Sequence, residues 1–228
     1  MSARPYTPSA QAIVTGFFCD ATKTRQNLEA NQSTMHLALD RDAWLAALER
    51  IAAALGPSGQ PVRLCLIGSV ACVFGGMATR TTRDLDVWKP ASDYDLVELK
   101  RAVEAAGLTF DPKTSLNPNT PYVQMVEAGP TQVGQFEPVF MERLGRLYLY
   151  RPPIEHLIAS KLVRGDDRDV DDVVFLMAKH SPARASIRAV IESFAEPGKA
   201  QALENLVYLE VTDQSDSDEP TPGKEAAE

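Results

Sequence analysis

Residues 82–88 read TRDLDVW, placing two aspartates one residue apart in a run that closes on valine and tryptophan. A β-strand lets such a run bury its apolar members and still keep both charges out of the core. Strand side chains alternate between faces, so Asp84 and Asp86 project together while Leu85 and Val87 pack on the opposite side. The pattern demands a sheet with one face committed to a core and the other carrying paired carboxylates. Two convergent carboxylates on a rigid strand suit a hard cation, above all Mg²⁺, which takes one or two protein carboxylates and fills its octahedron with water and phosphate oxygens. A solvated strand edge carrying two unrelated acids fits the same spacing, so the surrounding sequence has to decide.

Upstream, VRLCLIG (62–68) is an apolar run between Pro61 and Gly68 and reads as a buried strand. SVACVFGG follows as a short helix closed by Gly75 and Gly76, and MATRTTR connects it to DLDVW. A glycine at a strand-to-helix turn lets a phosphate approach the backbone and the free N–H groups of the helix start, and Ser69 adds a hydroxyl. A plain turn is the competing reading of Gly68 and Ser69. Arg80 and Arg83, just ahead of the aspartates, suit triphosphate charge, or else pair with the aspartates or face solvent. No GxxxxGK stretch occurs, which excludes a P-loop.

The rest of the chain supplies helices around this sheet. Asp40 or Asp42 caps a helix running to Leu55, with Trp44, Leu48, Ile51 and Leu55 on one stripe and GPSGQ as its stop. SDYDLVELKRAVEAAG reads as a helix capped by Ser92 and ended by Gly107. Strand-like pieces follow at 122–127, 132–140 and 146–150, then helical patterns at 153–164, 167–178, 183–194 and 199–210. The expected fold is α+β, a small mixed sheet with flanking helices and a helical C-terminal lobe. The expected divisions are an N-terminal extension (1–38), a core (39–151), a helical lobe (152–210) and a disordered acidic tail (211–228).

Composition narrows the function classes. With 228 residues, 44% of them apolar and 24% charged, the chain suffices for one main core, and no run is long enough to span a membrane. The first residues lack the apolar stretch and cleavage site of a secretory signal. Cys19, Cys65 and Cys72 form no CxxC pair. This usage fits a reducing cytoplasm, with Cys65 and Cys72 as buried small hydrophobes. The net charge of −8 argues against nucleic-acid binding over the whole surface, although the acidic tail carries part of it.

A second anomaly lies in the helical half. Lys161 sits amid the apolar stripe of Ile154, Leu157, Ile158 and Leu162, and Asp169 lies toward the apolar side of the next helix with Asp172, Val173 and Leu176. Either Lys161 and Asp169 form a structural ion pair, or Asp169 caps its helix, or this face lines a cleft. In the cleft reading Lys161 holds phosphate and Asp169 or Asp172 orients it.

Taken together, IGSVACVFGG…RTTRDLDVW and PPIEHLIASKLVRGDDRDVDDVVFLM resemble the nucleotidyltransferase-like superfamily. The likeness is strongest to AbiEii-type toxins and the bacterial proteins of the DUF6036 kind, over residues 62–178. The resemblance implies transfer of a nucleoside monophosphate from an NTP with release of pyrophosphate. Its metal pair maps onto Asp84 and Asp86, which would hold Mg²⁺ or Mn²⁺. Its Gly-Ser turn maps onto Gly68 and Ser69, its arginine-bearing run onto Arg80–Asp84, its helical lysine onto Lys161 and its Asp-x-x-Asp element onto Asp169 and Asp172. Many members of the superfamily add a third carboxylate on a later strand; here Glu137 is the candidate, with Glu127 behind it. The implied partners are an NTP, a tRNA or protein hydroxyl as acceptor and a cognate antitoxin, with no membrane. A small-molecule acceptor, or a binding module that keeps the fold without the chemistry, are the alternatives.

An RNA acceptor would call on basic residues near a cleft, drawn from Arg80, Arg83, Lys100, Arg101, Arg143, Arg146, Arg151, Lys161 and Arg164. His36, His156 and His180 lack metal-ligand spacing, and His156 falls on the polar side of its helix. Trp44 and Trp88 read as core, and Tyr148 and Tyr150 as cross-strand packing residues.

Overall fold

A computed structural model describes residues 38–112 and 120–209. The expectations placed on residues 1–37 and 210–228, including the acidic tail, lie outside the described residues. Asp40 caps the first helix, α1 (Arg41–Leu55), by accepting the Ala43 N–H, and Trp44, Leu48, Ile51 and Leu55 form its buried stripe. Strand β1 (Val62–Cys65) leads through Leu66 and Ile67 into α2 (Gly68–Phe74). Strand β2 (Asp84–Trp88) follows, with Leu85 and Val87 fully buried.

After β2 the chain makes one tight turn (Lys89–Ala91) before α3 (Leu96–Ala105). The cap of α3 is Asp95, not Ser92. Ser92 Oγ instead accepts the Cys65 N–H (2.9 Å) and donates to the Trp88 carbonyl (2.8 Å), tying the turn to β1. Strands β3 (Thr109–Phe110), β4 (Tyr122–Val126), β5 (Val139–Leu144) and β6 (Leu147–Arg151) complete the sheets. The expected strand at 132–140 does not form as such. Gly134 takes φ +78°, outside the strand region, and Pro138 has no N–H to give a ladder, so pairing starts at Val139.

The strands form two three-membered sheets, ordered β1-β6-β5 and β2-β4-β3. β1 and β6 are parallel and β5 and β6 antiparallel, while β4 runs parallel to both β2 and β3. An antiparallel bridge between Leu66 and Val87 joins the two sheets, and the Ile67 N–H donates to the Asp86 carbonyl at 3.0 Å. That bridge holds the β1–α2 turn directly against the aspartate strand. The mixed α/β architecture agrees with the sequence expectation.

Helices α4 (Ile154–Arg164), α5 (Asp167–His180), α6 (Arg184–Glu192) and α7 (Gly198–Glu204) follow. One hydrophobic cluster gathers α1, α3 and the sheets around Trp44, Leu85 and Leu149. A second joins α4–α7 to Ala71 and Cys72 of α2. Cys65 and Cys72 are free, buried thiols, both pushed up to about 12 by burial. Among the described residues no helix is long and apolar enough to cross a membrane.

Candidate active site

Alternation along β2 turns Asp84 and Asp86 away from the core and into a cavity of about 220 Å³, whose walls include Gly68, Gln124, Lys161 and Arg164. The Thr82 hydroxyl donates to Oδ1 of Asp84. Gly68 stands over Asp86 with φ +65°, and a side chain there would overlap the carboxylate. Burial, and then the charge of Asp84, push the Asp86 carboxyl up to about 7. Asp86 thus carries a raised, buried carboxyl beside a second acid, a setting that suits a bound cation.

The opposite wall is a network of buried charge. Lys161 is 3% exposed, with Nζ 3.2 Å from Oδ1 of Asp169 and 2.5 Å from Oδ2 of Asp172. Arg80 Nη2 donates to the same Asp172 oxygen at 3.1 Å and to Ser69 Oγ at 2.5 Å. Arg164 embraces Asp169 with a two-pronged contact of 2.8 and 2.9 Å, yet its side chain remains 68% exposed toward the cavity mouth. Burial pulls the Lys161 ammonium down, but Cys72, Asp172 and Asp169 outweigh it and the net direction is up. Burial likewise raises Asp169, and Arg164 and Lys161 more than reverse it, leaving the carboxyl below its usual range.

The positions expected to act on phosphate therefore divide. Gly68, Asp84, Asp86 and Lys161 line one cavity. Asp169 and Asp172 do not line it; they stand behind it as counter-charges of Lys161. Ser69 points its hydroxyl into that network, 3.4 Å from Oδ2 of Asp172. Nη2 of Arg80 is spent there too, while the Nε atoms of both Arg80 and Arg83 are buried without a hydrogen-bond partner.

Glu137 is not brought to the pair: it is exposed in the irregular segment before β5, since Pro138 ends any pairing ahead of Val139. Glu127 is engaged with Lys89 at 2.5 Å. The residue in register with Asp86 on the neighbouring strand is Gln124, an amide facing the same cavity. Among the described residues no three His, Cys, Asp or Glu converge as a metal cage. Asp84, Asp86 and Gln124 nevertheless line one cavity beside the Gly68 turn, and the oxygens these side chains carry fit Mg²⁺ or Mn²⁺, with the remaining positions left for water and phosphate.

Three expectations about other residues change. His156 is not a solvated histidine: Nδ1 lies 2.7 Å from the Val133 carbonyl, and its ring packs on Phe136. Arg146 is unavailable to RNA, because it is 7% exposed and donates to the carbonyls of Leu55, Gly56 and Gln60 behind α1, as well as to Glu98. Arg143 stacks on Tyr148, 5.0 Å from the ring centre. Gln124 is the site residue the sequence alone did not single out, and Arg164, named only among the basic residues that could serve an RNA acceptor, lines the cavity itself. The one signal for Arg164 was its place just before Gly165, whose left-handed φ of +62° ends α4 at the cavity.

No curated protein matches the chain. A solved structure titled as that of an antigenic nucleotidyltransferase-like protein from Paracoccidioides brasiliensis is similar at 13% identity, covering 78% of this chain and 93% of that one with a TM-score of 0.45. A family model described as "Nucleotidyltransferase of unknown function (DUF6036)" matches residues 43–179. That span holds the aspartate pair, the glycine turn and the lysine network alike, and it exceeds half of the 228 residues: the chain belongs to the DUF6036 family of nucleotidyltransferases.

Proposed function

We propose that the protein is a Mg²⁺-dependent nucleotidyltransferase that moves a nucleoside monophosphate from an NTP to a hydroxyl of RNA, tRNA in particular, or of a protein. A role as the toxin of a toxin–antitoxin or phage-defence pair, with a cognate antitoxin, belongs to the same reading. The observation that carries it is the cavity in which Asp84 and Asp86 face Lys161 and Arg164 across the Gly68 turn. Acid on one wall and guanidinium on the other suit a cation and a polyphosphate bound side by side.

The work divides among the residues by position. Asp84 and Asp86 would hold the divalent cation, which when bound neutralises the triphosphate and polarises the α-phosphate. Gly68 clears space for the substrate against the backbone. Arg164, exposed at the mouth and fixed by Asp169, takes the leaving pyrophosphate. Lys161 lends field from behind while Asp169 and Asp172 hold its charge in place. The acceptor hydroxyl gives its proton to water and its oxygen forms the new bond to the α-phosphorus, as the bond to the bridging oxygen breaks and pyrophosphate leaves.

One observation favours the alternative, a nucleotide-binding or antitoxin-like module with little catalysis. Gln124 occupies the neighbouring-strand position beside Asp86, where a third acid would otherwise serve as base. Incubating the protein with each NTP radiolabelled at the α-phosphate, with Mg²⁺, alone and with bulk tRNA, separates the two. The transferase reading expects label on RNA or protein that disappears in the Asp84→Ala/Asp86→Ala variant. Mg²⁺-dependent NTP binding without transfer to tRNA, protein or an aminoglycoside panel would leave the binding module.

A further inference from the structure

Beside the charged cavity lies a larger one of about 510 Å³ with the opposite chemistry. Among the described residues not one ionisable side chain lines it. Trp88, Phe136 and Phe194 supply aromatic surface, and Gln135 and Ser193 supply polar groups. Thr131 and Gln132 line both cavities, so the two are neighbours across a single loop. That dividing wall is held in place: the Gln132 amide accepts the Ala195 N–H at 2.7 Å and donates to the Ala195 carbonyl at 3.0 Å. Gly198 lies so close to Gln132 that a Cβ there would overlap the amide.

Within the described residues the backbone N–H groups of Gly134 and Gln135 and the Gln135 side chain make no hydrogen bond. The loop carrying them is fastened from behind through His156 and the Val133 carbonyl. A recess with flat apolar walls, no charge and a few unspent donors suits a planar, neutral heterocycle with polar edges.

We propose that this second cavity is a nucleobase subsite, reading a base whose phosphates lie against Asp84, Asp86 and Arg164. The inference rests on the nucleotidyltransferase reading for the phosphate half only. A base and its phosphates are one ribose apart, and Thr131 and Gln132 line both cavities. The base belongs either to the NTP or to the acceptor RNA, and the chemistry required of the cavity is the same.

Trp88 is 5% exposed and packs with Cys65, Ile67 and Val133, but it lines the cavity, whereas Trp44 is fully buried in the main core, so a change in tryptophan emission reports on the subsite. Fluorescence of the full chain is titrated with four ligands: Mg²⁺ with inorganic tripolyphosphate, Mg²⁺ with each NTP, a short single-stranded RNA, and ribose 5-phosphate as a base-free control. Base-bearing ligands are expected to change Trp88 emission and tripolyphosphate is not, with the signal lost in Trp88→Phe. A response to NTP that needs Asp84 and Asp86 assigns the base to the NTP; a response to RNA that does not need them assigns it to the acceptor. Phe136→Leu/Gln135→Ala is expected to weaken the base-bearing ligand about tenfold while tripolyphosphate affinity by calorimetry is unchanged. Equal responses to tripolyphosphate and NTP, or tight NTP binding with no Trp88 change and no loss in the double variant, would overturn the subsite and leave the phosphate site standing. A base response with no Asp84- or Asp86-dependent label transfer would sink the transferase reading and keep the subsite.

Discussion

A side chain at position 68 would overlap Oδ2 of Asp86, so the turn residue and the strand carboxylate are built as one unit. The Leu66–Val87 bridge and the Ile67 N–H on the Asp86 carbonyl leave no room for the two to separate. Gly68→Ala therefore meets both a left-handed φ of +65° and a collision. A loss of about 1–3 kcal/mol in stability is expected. Mg²⁺-induced thermal stabilisation should vanish with it, read by comparing melting curves of both proteins with and without Mg²⁺.

Asp86 makes stability depend on pH in a direction unusual for an acid. Its folded carboxyl titrates at about 7 against an ordinary 3.8, so between those values the folded chain holds a proton the unfolded chain has released. Stability is thus highest at the acidic end of that window and falls as pH rises toward 7, by an amount on the order of a few kcal/mol. Asp86→Asn should flatten this slope in urea unfolding near pH 5 and near pH 8. An unchanged slope would refute the assignment to Asp86.

Lys161 is a buried cation between two buried acids, and its removal strands them. Lys161→Met is expected to cost roughly 3–5 kcal/mol, moderated because Arg80 still meets Asp172 and Arg164 still meets Asp169. Combining it with Asp172→Asn should recover part of the loss. Additive losses in a double-mutant cycle by chemical denaturation would show that the two do not act as a pair.

Arg164 behaves in the reverse manner. Its side chain is 68% exposed, so Arg164→Ala should change stability by less than about 1 kcal/mol. Loss of a fixed guanidinium at the cavity mouth should weaken tripolyphosphate binding about tenfold, measured by calorimetry with Mg²⁺ present. Arg164→Lys should fail to restore it, because an ammonium cannot grip Asp169 with two prongs.

Local rules wrote much of this molecule directly into the chain. Period-two alternation set Asp84 and Asp86 on one face, Asp40 started α1, and Gly68 marked the turn that has to fit beneath a carboxylate. Each of these depends on interactions within a few residues, or on the pleat itself, so a single sequence suffices to read them. Helical spacing likewise put Lys161 and Asp169 on inner faces.

What those charges meet was decided only by tertiary structure. Three donors, Ser69, Arg80 and Lys161, converge on Oδ2 of Asp172 from two helices and a connector separated from it by up to 103 positions, and nothing in the local pattern announces that Arg80 joins them. The register of β2 on β4 put Gln124 rather than an acid beside Asp86, and a proline left Glu137 outside. Arg164 and the neutral cavity beside Trp88 likewise arise from how α4 and the end of α6 seat against the sheets. Strand register and helix docking are long-range choices, settled by which buried charges can be paired and which apolar faces covered, and one chain read in order does not contain them.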